Sequence, residues 1–282
     1  MKVCILGTGV MGSGIVSLFC KSDNVERIVW WGREKGSAET KLINVKKEIS
    51  RYVRQNALDK ELIQCWLKKI SFSSDFSDLH DADIYIEAIV EDFESKAQLL
   101  SRLNQFVPEN AIVATNTSSL SVTALSMNLN KPENFIGIHF FNPTSIMRLV
   151  EIIKGLTAAD ETLQRSIDIV ENLGKTPVIV KESPGFIVNR MLIPMINEAV
   201  AILAEGVATR DDIDKAMIFG ANHPIGPLAL ADLIGNDVCL SIMEALQYET
   251  GDPKYRAHPV LRQYVRAGLL GRKAKVGFYE YK

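Results

Sequence analysis

The chain has 282 residues, enough for about two domains at the usual size of roughly 150 residues each. Its 47% hydrophobic and 23% charged residues exclude a disordered or fibrous protein. Thirty-two Lys and Arg against 34 Asp and Glu leave a net charge of −2, which removes the electrostatic case for a nucleic-acid partner; no apolar run approaches the ~18–20 residues of a membrane span.

The first strand pattern, Lys2–Leu6, runs into Gly7-Thr8-Gly9-Val10-Met11-Gly12, and a helical pattern follows through Cys20. The glycines interrupt the apolar N-terminus, so it reads as structure and not as a cleavable leader. A strand, a G-x-G-x-x-G turn and a helix together form a dinucleotide fingerprint. Gly7 permits the tight turn, Gly9 lets the backbone approach a pyrophosphate, and Gly12 lets the helix pack on the strand. A second strand, Ile28–Trp31, ends in Gly32-Arg33-Glu34. An acid at the end of this strand would take both ribose hydroxyls of NAD. Gly32 offers no carboxylate to repel a 2′-phosphate, and the Arg33 guanidinium can pair with that phosphate and stack on adenine. The pattern favours NADP(H); NAD(H) is the alternative if Glu34 reaches back to the ribose.

A helical stretch from about 37 to 70 exceeds what a crossover requires, about 10–12 residues, and is expected to be an insertion. Within 41–60, Lys41, Lys46, Lys47, Arg51, Arg54 and Lys60 face only Glu48 and Asp59. That excess suits either a solvated helix face or a docking surface for a multiply phosphorylated handle.

Further strand patterns follow at Asp83–Ile89, Ala111–Thr115, Phe135–Phe140, Leu149–Ile153 and Pro177–Val180. Strands alternating with helices predict a mainly parallel, doubly wound sheet, with ligands outside the C-terminal strand ends. His139 stands at such an end. Glu151 lies on the next strand, after a loop short enough to set the two strands side by side. A carboxylate partner fixes the imidazole tautomer and raises its basicity, which suits it to take a proton from an alcohol. Thr115-Asn116-Thr117-Ser118-Ser119 ends another strand and presents hydroxyls and an amide to the same crevice, unless these residues only cap a helix.

Beyond Lys181 the patterns are helical. Ser183-Pro184 resembles a helix start, followed by a broad apolar stripe over 187–203 that contains Pro194 and ends at Gly206. Thr209 and Asp212 start a helix closed by Gly220, and helical patterns continue from Pro227 to Thr250 and from Pro259 to Ala267. The stripe is either this domain's own core or a homodimer surface. Cys4, Cys20, Cys65 and Cys239 show no paired spacing, so buried thiols in a reducing cytoplasm are expected, with no metal site.

The segments GTGVMGSGI (Gly7–Ile15), NTSSL (Asn116–Leu120), HFFNP (His139–Pro143), LVE (Leu149–Glu151), PGFIVNR (Pro184–Arg190), GANHPIGP (Gly220–Pro227) and GRK (Gly271–Lys273) occur in order along nearly the whole chain. In these the chain resembles the L-3-hydroxyacyl-CoA dehydrogenases, and most closely their bacterial 3-hydroxybutyryl-CoA branch. The resemblance implies reversible conversion of (S)-3-hydroxybutyryl-CoA to acetoacetyl-CoA. His139 would be the general base and Glu151 its orienting partner. Ser118 would bond the reacting oxygen, and Asn189 the substrate carbonyl. Glu91, Lys96, Asn116, Asn142 and Lys273 would surround the cofactor, beside Ser118. Ser50, Arg51 and Arg54 would lie near coenzyme A. Two positions depart from the family pattern: Gly32 replaces an Asp, and Lys275 stands where an additional Gly is common.

The expectation is therefore an α/β Rossmann-type domain over 1–183 and an all-α substrate and dimerisation domain over 184–282, with the active site in the cleft between them. The enzyme would be a cytoplasmic homodimer acting on an acyl-CoA. Two rivals are a dehydrogenase of a non-CoA hydroxy acid or sugar acid, and a non-catalytic dinucleotide sensor.

Overall fold

A computed structural model describes residues 1–33 and 38–282 and divides them into two compact units, Met1–Ser183 and Pro184–Lys282. The first is built on one eight-stranded sheet of order β3-β2-β1-β4-β5-β6-β7-β8. Its strands are β1 (Lys2–Leu6), β2 (Arg27–Trp31), β3 (Ile70–Ser73), β4 (Ile84–Glu87), β5 (Ile112–Thr115), β6 (Phe135–Phe140), β7 (Leu149–Lys154) and β8 (Thr176–Lys181). All neighbours are parallel except β6 and β7. Helices α1 (Val10–Phe19), α2 (Ala38–Gln55), α3 (Glu61–Lys68), α4 (Phe93–Leu103), α5 (Val122–Ser126) and α6 (Asp160–Asn172) connect them. The inner strands are nearly continuous apolar runs, as expected of parallel strands covered on both faces. The reversal of strand order between β1 and β4 places a topological switch point there, where open α/β sheets bind their ligands.

The insertion is α2 and α3, as its helical pattern predicts. Val45, Ile49 and Val53 recur at helical spacing on α2 and are buried in the sheet core, while Lys46, Lys47, Arg51 and Arg54 are exposed. The expected helix to residue 70 gives way to β3, which pairs with β2 from Ile28↔Ile70 to Trp31↔Ser73. Ile-Ser-Phe-Ser is an edge strand of four residues, and its alternation is too short to register as a strand pattern. Glu34, the alternative ribose ligand, lies outside the described residues.

The second unit consists of α7 (Val188–Ala204), α8 (Arg210–Ala221), α9 (Pro227–Ile234), α10 (Asn236–Thr250) and α11 (Pro259–Arg266). Ser183 is not the cap of α7: Ile187 holds that position. Gly185 and Phe186 intervene in left-handed conformations (φ 71° and 53°), and two such residues cannot belong to a right-handed helix. Pro194 is accommodated inside α7. The Thr209 hydroxyl accepts the Asp212 N–H as expected, but Asn222 in the left-handed region, not Gly220, ends α8. Ile193, Ile196, Ala199 and Val200 of the apolar stripe are buried in this unit's core with Leu228, Ala231 and Met243, whereas Met191 is exposed. The stripe is thus chiefly core. Cys4, Cys20 and Cys239 are buried free thiols; Cys65 is exposed, against the expectation of burial, because the polar face of α3 carries it.

Candidate active site

The glycine turn forms as its sequence requires. Gly7 has φ 124°, and a Cβ there would lie 2.4 Å from the Ala88 carbonyl oxygen, while one on Gly12 would lie 2.1 Å from that of Gly7. Both positions exclude any larger residue. Gly9 is different: a Cβ there would meet nothing within 4 Å, so its absence leaves the backbone open to approach. Among the described residues no side chain caps α1 and none in its first turn is acidic. Its leading N–H groups and the positive end of its dipole are thus available to an anion, a donor set that fits a dinucleotide pyrophosphate.

Gly32 is packed at the end of β2, and a Cβ there would meet Thr8 Cγ2 at 2.5 Å. Arg33 beside it is exposed.

The carboxyl ends of β4, β5 and β6 converge on a polar network. Glu87, the last residue of β4, is buried and accepts hydrogen bonds from Lys96 Nζ at 2.6 Å, Thr115 Oγ1 at 2.6 Å and the Ile89 amide at 2.7 Å. Lys96, 1% exposed, also reaches Glu91 Oε2 at 3.4 Å. Glu91 Oε1 in turn accepts the hydroxyls of Thr117 (2.7 Å) and Ser118 (3.0 Å) and the amides of Ser118 (2.6 Å) and Ser119 (3.1 Å). Burial alone would push the Glu91 carboxyl up, but the Lys96 ammonium and the bonds from Thr117 and Ser118 outweigh it and hold the carboxyl below its ordinary value. Lys96, Glu91 and Ser118 are therefore brought together, and Lys96 is committed to two carboxylates beneath the surface. Glu87 is an addition to the expected set, while Thr115, expected to present its hydroxyl to the crevice, donates it to Glu87. The one sign of Glu87 in the sequence is a carboxylate ending the apolar run Ile84-Tyr85-Ile86, which demands a buried partner.

Asn116 ties this network to the next strand, its Oδ1 accepting the Phe140 amide at 2.9 Å. One residue earlier on β6, His139 stands directly opposite Glu151 of β7. Opposed residues of an antiparallel pair carry their side chains on one face, and here His139 Nδ1 lies 2.8 Å from Glu151 Oε2. Because β7 runs against β6, the start of β7 lies level with the ligand-facing end of the sheet. The pair is buried, 8% and 1% exposed, and the Phe141 ring packs on the imidazole with centroids 4.5 Å apart. A histidine so held has its Nδ1 side fixed against a carboxylate, which sets the orientation of the ring.

Asn142 is exposed just after β6, Ser50 is half-buried and Arg51 and Arg54 exposed on α2. In the helical unit, Asn189 lies in the first turn of α7, and Lys273 forms an ion pair with Asp237 at 2.6 Å. Among the described residues no cluster of three or more His, Cys, Asp or Glu could hold a metal, and no helix is long and apolar enough to cross a membrane.

Residues 2–183 match the family model for the NAD-binding domain of 3-hydroxyacyl-CoA dehydrogenase, and residues 185–281 match the model for its C-terminal domain. The chain is 46% identical to the 3-hydroxybutyryl-CoA dehydrogenase of Clostridioides difficile, covering all of this chain and 99% of that one. It is 42% identical to a probable 3-hydroxybutyryl-CoA dehydrogenase of Bacillus subtilis, covering 100% and 97%. The crystal structure of the (S)-3-hydroxybutyryl-CoA dehydrogenase of Ralstonia eutropha superposes with a TM-score of 0.95 at 42% identity, covering 100% and 99%. A glycine turn built for a dinucleotide and two domain models that together span the chain lead to one conclusion: this protein is an enzyme of the 3-hydroxyacyl-CoA dehydrogenase family, with a nicotinamide dinucleotide as its cofactor.

Proposed function

We propose that the enzyme interconverts (S)-3-hydroxybutyryl-CoA and acetoacetyl-CoA, using NADP(H) in preference to NAD(H). The observation that carries this reading is the buried His139–Glu151 pair at the ligand end of the sheet. When bound, the cofactor supplies or accepts a hydride at C4 of its nicotinamide ring. The protein's part is orientation and the movement of one proton. In oxidation His139 Nε2 takes the proton of the substrate's 3-hydroxyl; in reduction it returns one to the forming alkoxide. Glu151 accepts from Nδ1, fixing the tautomer, and its charge stabilises the imidazolium once the proton has arrived. Ser118, anchored through its amide to Glu91, is the proposed hydrogen-bond donor to the reacting oxygen, its hydroxyl turning to the substrate from the Glu91 carboxylate to which it donates here. The roles of Asn189 at the substrate carbonyl, of Asn116, Asn142 and Lys273 at the cofactor, and of Ser50, Arg51 and Arg54 at coenzyme A rest on the family resemblance.

The preference for NADP(H) is supported by Gly32 in place of a carboxylate and by the exposed Arg33 next to it. A homodimer is supported by Met191, Phe219 and Tyr248, large apolar side chains exposed on the helical unit. A cytoplasmic setting suits four free thiols, one of them exposed.

The test is a spectrophotometric assay with acetoacetyl-CoA and each reduced cofactor in turn. Rapid turnover with NADPH and slower turnover with NADH is expected. Turnover only with free hydroxy or keto acids contradicts the substrate, and cofactor binding without turnover on any substrate contradicts the reaction.

A further inference from the structure

We propose that Arg102, with the Ser74 hydroxyl, completes the grip on the 2′-phosphate that Arg33 begins, so that selection of NADP(H) is made by α4 and the β3 end as well as by the β2 end. The proposal rests on the NADP(H) reading given above and deepens it.

A hollow opens at the carboxyl ends of β2 and β4, on the β2 side of the switch point. Arg33, Ser74, Val90 and Arg102 are among the residues that line it, and none of the described lining residues is a carboxylate. A dinucleotide whose pyrophosphate lies on the α1 N-terminus extends its adenosine half over the end of β2, which is where this hollow is. Two arginines thus line one hollow, Arg33 from the residue following Gly32 and Arg102 from the last turn of α4.

Arg102 is held for this purpose. Its guanidinium carbon lies 4.4 Å from the centroid of the Phe76 ring, and Phe76 is itself packed on Trp31 at 4.8 Å. A guanidinium stacked on an aromatic face keeps its in-plane N–H fork free for an oxyanion, so less freedom is lost when a phosphate arrives. Asp75 lines the neighbouring depression with Arg102; its carboxylate accepts the Ser77 amide at 2.9 Å and caps the turn there. A single exposed arginine discriminates weakly against a ligand lacking the phosphate, whereas two convergent ones with a hydroxyl form a charge-assisted cluster.

The experiment measures dissociation constants for NADPH, NADH and 2′,5′-ADP with the wild type, Arg33→Ala, Ser74→Ala, Arg102→Lys and Arg102→Met; the methionine keeps an apolar chain over Phe76, and a thermal melt checks that each variant is folded. Arg102→Met is expected to weaken NADPH and 2′,5′-ADP by about 10-fold or more while NADH changes by less than about two-fold, with partial recovery in Arg102→Lys. Equal weakening of NADPH and NADH would show that Arg102 stacks on adenine without reading the phosphate, and would overturn the proposal. No weakening of NADPH in a wild-type background that prefers it, with Arg33→Ala still damaging, also overturns it while leaving the NADP(H) reading intact. A wild type that binds NADH more tightly, and 2′,5′-ADP no better than 5′-AMP, overturns both.

Discussion

His139 and Glu151 are cross-strand partners in the antiparallel β6–β7 pair, joined at 2.8 Å between Nδ1 and Oε2 in a nearly dry setting. Strand register alone puts the imidazole and the carboxylate on one face, so their contact needs no loop to be ordered first. In so low a dielectric the carboxylate's charge acts strongly on a neighbouring imidazolium. Glu151→Gln keeps an acceptor of similar shape but removes that charge. It is expected to lower kcat by on the order of 10–10²-fold with KM for the acyl-CoA little changed, a split that steady-state kinetics in the reductive direction will read. Unchanged kcat would mean that the carboxylate only shapes the strand pair.

At the end of β2, a carboxylate introduced as Gly32→Asp would stand where a 2′-phosphate must pass. The ratio of kcat/KM for NADPH over NADH is expected to fall by about 10-fold or more, through like-charge repulsion against one ligand and not the other. The new Cβ meets Thr8 Cγ2, so the substitution is best made together with Thr8→Ser, which removes that methyl. An unchanged ratio in the double variant counts against Gly32 as a determinant of selectivity.

The Glu91 carboxyl gives a prediction in pH. Burial opposes its ionisation, but Lys96 and the bonds from Thr117 and Ser118 leave its folded-state pKa below the ordinary value. A depressed carboxyl stabilises the fold above its unfolded pKa of about 4.3 and loses that contribution as pH falls through the folded value. Denaturant unfolding of the wild type and Glu91→Gln should therefore show a stability gap that is constant from neutral pH to about pH 5 and closes at lower pH. A gap independent of pH would mean that the side chain contributes by shape alone.

Lys275 sits in the left-handed region (φ 61°, ψ 3°) and closes the short 3-10 turn Arg272–Ala274. A residue with a Cβ is strained there by about 1–2 kcal/mol, a cost that glycine avoids. Lys275→Gly loses part of this gain to the greater freedom of the unfolded chain and should stabilise the protein by about 0.5–1 kcal/mol. Chemical denaturation measures it; destabilisation would show that the lysine side chain makes a compensating contact.

Much of the fold and site was legible in the residues because it rests on short-range pattern. Gly7, Gly9 and Gly12 follow a strand and precede a helix, and each has a steric reason visible in the sequence. His139 and Glu151 are placed by two strand patterns and the length of the loop between them. Other features depend on partners distant in the chain. β3 exists because β2 offers Ile70–Ser73 an edge to pair with, and four residues of mixed polarity do not declare that by themselves. The Glu87–Lys96 pair joins a strand end to a helix interior, and no periodicity links the two. Gly185 and Phe186 interrupt what reads as a continuous helix start because both take positive φ. The cation–π contact of Arg102 with Phe76 likewise joins residues 26 apart in sequence.

The most direct test is a comparison of His139→Ala with the wild type in the acetoacetyl-CoA assay, alongside a titration with NADPH. If His139 is the group that moves the proton, turnover falls by at least ~10²-fold while the dissociation constant for the cofactor is largely retained. Turnover within a few-fold of the wild type would contradict the proposed chemistry at its centre.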